Sequence, residues 1–299
     1  MPHVRANGLD IAYTAEGSGP PLLLLHGASS SGATDFAAQL PALTGAFRCY
    51  VPDARGHAGT RWDAAGGFRY EWLVDDALAF ADGVGLGTFH LLGFSMGAAT
   101  ALGVAARSPD RIRTLVLAGI SAEREPRASV ARRLFDPARI ERHDPAWADE
   151  LSRRHDAVQG TGAWQRLLPA VAADVASQEL HGPAELSRID CPVLVACGDA
   201  DPFVPVDQAW RLKRQLRDAR LFVAPGCGHE LLRQRPAIAT EALAGFWRST
   251  EAVAARRANP APGTITARPG ARPATTHSSA HGEPAGSEPD ADWLKEASR

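Results

Sequence analysis

Phe89-His90-Leu91-Leu92-Gly93-Phe94-Ser95-Met96-Gly97-Ala98-Ala99-Thr100-Ala101-Leu102 begins as one kind of element and ends as another. Phe89 to Leu92 is a short, mostly apolar run, the pattern of a strand buried on both faces, and Ala98 to Arg107 reads as a helix. Between them Gly93-Phe94-Ser95-Met96-Gly97 forms G-x-S-x-G in a strand-turn-helix context. Nucleophilic chemistry needs a serine on such a sharp turn, small neighbours that relieve crowding, and helix N-terminal N–H groups facing a developing oxyanion. Ser95 is therefore the candidate nucleophile. The pentapeptide alone can arise by chance in a Gly- and Ala-rich chain, but its context argues against that.

On both sides the same alternation continues. Val4 to Ala15 holds two β-rich runs around Asn7-Gly8, a hairpin signal, and Leu22 to Leu25 reads as a central strand. Arg48 to Val51, Thr114 to Ala118, Val193 to Cys197 and Leu221 to Ala224 follow as strands, with helix-length segments such as Trp72 to Gly83 between. This alternation predicts a mostly parallel, doubly wound α/β sheet with ligands at the carboxyl ends of its strands. The regularity lapses over residues 121–189, an Arg- and Ala-rich helical stretch read as a cap inserted between core segments 1–120 and 190–254. Residues 255–299, rich in Pro, Gly, Ala, Ser and Thr, are expected to be a disordered tail.

Chemistry-bearing residues recur where strands end. Val193 to Cys197 leads to Gly198-Asp199-Ala200-Asp201, in which Asp201 suits the acid that orients a base and Asp199 suits a loop cap. Leu221 to Ala224 leads to Pro225-Gly226-Cys227-Gly228-His229, which delivers a histidine as base. The chain order Ser95, Asp201, His229 is that of α/β-hydrolases, not of chymotrypsin-like or subtilisin-like enzymes. Leu22 to Leu25 is followed by His26-Gly27-Ala28-Ser29, so the backbone N–H of Ala28 joins that of Met96 as an oxyanion donor. His26 reads as a structural hydrogen-bonding residue. In Asp53-Ala54-Arg55-Gly56-His57 the polar side chains are expected to pin one another and their loop, with His57 a weak catalytic candidate.

Together the H-G loop at His26-Gly27, D-x-R-G-H-x-G at Asp53 to Gly59, the Ser95 elbow, G-D-x-D at Gly198 to Asp201 and G-x-G-H at Gly226 to His229 resemble the α/β-hydrolase superfamily, in its helical-cap branch, over Val4 to Thr250. The resemblance implies an eight-stranded sheet flanked by helices and an acyl-enzyme route to ester, lactone or carbon–carbon cleavage, or perhydrolysis. Serine at 95 counts against the branch's dehalogenases and epoxide hydrolases, which use aspartate there. Ala58 and Ala98 stand where many relatives have glycine, which bears only on subfamily. The same triad also serves acyltransferases, and the fold also serves ligand-binding receptors with slow turnover.

Phe94, Trp62, Phe135, Trp147, Trp164 and Phe203 are candidate walls of an apolar pocket between core and cap, suiting a small or medium hydrophobic substrate. Arg124, Arg127, Arg132 and Arg133 read as a solvated helix face, with recognition of a substrate carboxylate as the alternative. Net charge is −2 from 32 basic and 34 acidic residues, which gives no reason to expect nucleic acid or an anionic membrane as partner. A small-molecule substrate is the expected partner; oligomeric state stays open. No apolar signal core opens the chain, so a cytoplasmic location is expected. Cys49, Cys191, Cys197 and Cys227 lack C-x-x-C spacing and read as free thiols, and no metal or organic cofactor is implied.

Overall fold

The structure, a computed structural model, describes residues 1–258. The expected tail falls on residues 255–299, and residues 259–299 lie outside the described residues.

The chain opens with β1 (His3–Ala6) and β2 (Leu9–Glu16), an antiparallel hairpin turning through Asn7 at φ 47° and Gly8 at φ 76°. Two successive positive φ values match the right-handed twist of the flanking strands, and an Asn-Gly pair adopts them at low cost. Then come β3 (Pro21–Leu25), the short helices α1 (Gly32–Asp35) and α2 (Leu40–Leu43), β4 (Arg48–Pro52), α3 (Tyr70–Gly83), β5 (Phe89–Phe94), α4 (Met96–Arg107) and β6 (Ile112–Ala118). After an insertion the core resumes with β7 (Val193–Gly198), α10 (Val206–Gln215), β8 (Ala219–Ala224), α11 (Leu231–Gln234) and α12 (Pro236–Ala258), the last running past the boundary expected at 254. The helices numbered α5 to α9 fill the insertion described below.

These strands form one eight-stranded sheet in the order β1-β2-β4-β3-β5-β6-β7-β8. From β4 to β8 every neighbouring pair is parallel. Its apolar runs alternate sides. Leu23 and Leu25 of β3 pack with Val74, Phe80, Leu102 and Leu212, from α3, α4 and α10. Leu22 and Leu24 pack with Phe36, Leu43, Leu243 and Trp247 on the opposite face. Burial on both faces is why these strands read as continuous hydrophobic runs rather than alternating ones.

Strand order reverses around β3, whose parallel neighbours are β4 on one side and β5 on the other. Loops leaving β3 and β5 there diverge to opposite faces, and the crevice between them is where open α/β sheets bind ligands. The insertion between β6 and β7 holds α5 (Arg127–Leu134), α6 (Pro137–His143), α7 (Pro145–Gln159), α8 (Ala163–Ser177) and α9 (Pro183–Leu186). Among the described residues no helix is long and apolar enough to cross a membrane.

Candidate active site

Ser95 joins β5 to α4 with φ 53° and ψ −114°, a conformation unfavourable for a residue with a Cβ. Its surroundings enforce it. A Cβ on Gly93 would lie 2.2 Å from the Gly97 carbonyl oxygen, and one on Gly97 would lie 1.9 Å from that of Leu25. Backbone bonds from Ser95 N to Ala118 O (2.8 Å) and from Ala98 N to Ser95 O (2.9 Å) fix the turn on both sides. The side chain is thereby held out beyond the sheet's carboxyl edge.

The candidate base His229 arrives from the loop after β8, and Asp201 from the loop after β7. Ser95 Oγ donates to His229 Nε2 at 2.8 Å, and His229 Nδ1 donates to Asp201 Oδ2 at 2.8 Å. Asp201 Oδ1 accepts the N–H groups of Phe203 (2.8 Å) and Val204 (3.1 Å), so its carboxylate is oriented and its side chain fully buried. The imidazole is packed by Phe203, with ring centroids 4.3 Å apart, and by Phe94 at 5.3 Å. A Cβ on Gly119, just past β6, would come within 3.0 Å of His229 Cε1. Sequence reading passed over Gly119, although its place at a strand's carboxyl end was visible.

Asp199 binds backbone instead, accepting from Gly226 N at 2.9 Å and Cys227 N at 3.1 Å. These bonds hold its carboxyl below the usual carboxylate range. Cys227 is 4% exposed, its Sγ lies 3.4 Å from Ala224 O, and burial raises its thiol pKa, which disfavours the thiolate.

Met96 is the first residue of α4, where a helix leaves its N–H groups free. The neighbouring loop after β3 is fixed by buried Asp35, which accepts Gly27 N at 2.8 Å and Ser30 Oγ at 2.5 Å. Asp35 was not foreseen; nothing in its local sequence points to this loop. His26 has the expected structural role, its Nδ1 donating to Gly27 O at 2.7 Å and its Nε2 accepting from Ala54 N at 2.9 Å. His57 is fully buried, against His26 and His155, and burial pushes its pKa well down.

The expectation that Asp53, Arg55 and His57 pin one another is met only by the His57 ring and the Arg55 carbonyl, 2.9 Å apart. Asp53 accepts from Gly59 N at 3.1 Å, and Arg55 pairs with Asp76 of α3 at 2.6 and 2.7 Å.

Two hollows meet at the Ser95–His229 pair, both bordered also by Ala28, Phe135 and Phe203. The inner pocket runs under the cap, and the outer cleft also takes in Phe94 and Trp147. Trp62 and Trp164 line neither. Trp164 is 1% exposed inside the cap with Leu151 and Leu168, and Trp62 packs on Phe68 while its Nε1 donates to Gly67 O at 2.8 Å. Arg127 also departs from expectation: rather than facing solvent it is 7% exposed and lines the inner pocket.

A family profile described as "Alpha/beta hydrolase family" matches residues 22–243. Serine hydrolase BPHL of Homo sapiens is 29% identical over 239 residues, 76% of this chain and 79% of that protein. Pyrrolizixenacetamide deacetylase of Xenorhabdus hominickii is 30% identical over 119 residues, so the match spans 40% of this chain and less than half, 44%, of that relative. Among solved structures, a meta-cleavage product hydrolase from Pseudomonas fluorescens IP01 superposes with a TM-score of 0.68 at 22% identity, covering 83% of this chain and 97% of the other.

Proposed function

The chain belongs to the alpha/beta hydrolase family, and we propose that it is a serine hydrolase that cleaves a small or medium ester, lactone or related carbonyl compound through an acyl-enzyme on Ser95. The unbroken hydrogen-bonded line from Ser95 Oγ through His229 to the buried carboxylate of Asp201 carries this reading. The serine hydrolase and deacetylase among its relatives support it.

In the proposed reaction His229 Nε2 takes the Ser95 proton as Oγ attacks the substrate carbonyl. Asp201 keeps the proton on Nδ1 in the resting tautomer and stabilises the imidazolium. The N–H groups of Ala28 and Met96 receive the negative oxygen; losing one such donor typically costs about 3 kcal/mol of barrier. The imidazolium then protonates the leaving group, and water resolves the acyl-enzyme with His229 again as base.

Hydrolysis of p-nitrophenyl butyrate, followed together with intact mass after fluorophosphonate labelling, tests this. Wild type should turn over and take one label, and Ser95→Ala should do neither. A folded wild type that neither labels nor turns over would remove Ser95 from the reaction.

A further inference from the structure

Arg127 is the buried arginine at the cap entrance, and among the described residues it makes no ion pair within 4 Å. Arg124 donates to the carbonyls of Ala176 and, at 3.0 Å, Gln178, which ties the cap's entry to the end of α8. Arg132 pairs with Glu125 at the surface, 3.6 Å away, and Arg133 is exposed. The Arg127 guanidinium, by contrast, is buried with no acceptor for Nε or Nη2.

Three further features make this placement unfavourable for stability. Arg127 occupies the first turn of α5, where the helix dipole is positive and disfavours a cation. Burial lowers its pKa only to about 10, so it remains charged at neutral pH. Asp174, in the same pocket wall, accepts the N–H of Tyr70 at 3.0 Å and leaves Nε and Nη2 unmatched. A buried cation with unspent donors is among the more expensive arrangements in a fold, and groups perturbed in this way cluster in functional sites.

The surrounding wall indicates the missing acceptor. Arg127 shares the inner pocket with Ser95 and His229, and between them its wall is mostly apolar, with Leu73, Ile120, Ala131 and Val171 beside the polar Tyr70, Asp174 and Gln178. A guanidinium presents a planar fork of donors that matches a carboxylate. We infer that Arg127 is an anion-recognition residue, and that the substrate carries a free carboxylate joined by a short hydrocarbon chain to the carbonyl attacked by Ser95. This rests on the reading of Ser95 as the nucleophile.

Monomethyl glutarate and methyl pentanoate, compared in a pH-stat, test it through the ratio of their kcat/KM values. Wild type should favour the anionic ester by at least about tenfold, the scale of a charge-assisted bond pair. Arg127→Met should lower that ratio at least about tenfold, and Arg133→Met, on the exposed side of the same helix, should not. Should Arg127→Met fail to fold, Arg127→Lys, which keeps the charge and loses the fork, should still lower the ratio. Calorimetry with glutarate and Ser95→Ala supplies a readout free of turnover: binding that Arg127→Lys weakens in that background supports the inference. Equal turnover of the two esters, or no glutarate binding, overturns it and leaves Ser95 in place. Absence of turnover and of fluorophosphonate labelling would instead remove the nucleophile, and the glutarate titration alone would then decide on Arg127.

Discussion

Asp199 accepts the backbone N–H of Cys227 at 3.1 Å, which ties the loop after β7 to the loop that carries His229. Two residues on, Asp201 holds the imidazole itself. One carboxylate thus sets where the His229 loop lies, and the other holds the imidazole's Nδ1. Asp201→Asn should lower kcat by about 10⁴-fold with little change in fold, because the amide favours the wrong imidazole tautomer. Asp199→Asn should cost less than about 10²-fold, the scale of a base slightly misplaced. Its lowered carboxyl pKa means that its stabilisation is present above the unfolded carboxylate pKa and lost as pH falls through the folded one. Steady-state kinetics of the two variants, with melting curves at pH 7 and pH 3, check both statements; equal losses of kcat would refute the division of labour.

Ser95 stores backbone strain, with its φ of 53° and ψ of −114°. Ser95→Gly removes both the hydroxyl and the Cβ that makes this conformation unfavourable, whereas Ser95→Ala removes only the hydroxyl. Ser95→Gly should therefore be more stable than Ser95→Ala by about 1–3 kcal/mol, less the entropy that glycine adds to the unfolded chain. Chemical denaturation of the two variants measures the difference. If the alanine variant is the more stable, the elbow is not strained.

Buried histidines make the fold sensitive to mild acid. Burial lowers His90 and His155 to about 4 and pushes His57 well below its ordinary value. Each binds a proton more readily unfolded, so its stabilisation is complete above the unfolded pKa of about 6.5 and drains as pH falls toward the folded value, by up to about 1.4 kcal/mol per pH unit per histidine. The melting temperature should drop from pH 6.5 to pH 4. Replacing His90, which bonds Thr114 Oγ1 at 2.8 Å, with Asn should flatten part of that slope. An unchanged profile would mean that His90 is not held neutral.

The features legible in the sequence are those fixed by nearby residues. Asn7-Gly8 demands positive φ at both positions, and the Gly93–Gly97 elbow needs small residues between a strand and a helix; both signals are local, and both elements form where expected. Partners chosen across the fold were not legible. Arg55 turns to Asp76, 21 residues on, rather than to Asp53, because α3 packs beside its loop. Arg124, Arg127 and Arg132 look alike in sequence, yet the packing of α5 against α8 sends one to backbone carbonyls, one into the pocket and one to the surface. Helical periodicity identifies a face but not what that face meets.

The same distinction separates two cap tryptophans. Trp164 is buried among Ile140, Leu151 and Leu168, and its Nε1 donates to Ser152 Oγ at 3.0 Å. Trp164→Ala empties a packed site and leaves that hydroxyl without its donor, so it should cost about 3–5 kcal/mol of stability for any substrate tested. Trp147 is only partly buried and lines the outer cleft that opens onto Ser95. Trp147→Ala should therefore act mainly on KM, and more strongly for bulky leaving groups than for methanol, with a smaller loss of melting temperature. Kinetics on methyl and benzyl esters of one acid, set beside melting curves, separate the two residues. A Trp164 variant that melts like wild type but discriminates between the esters would return that side chain to the pocket wall.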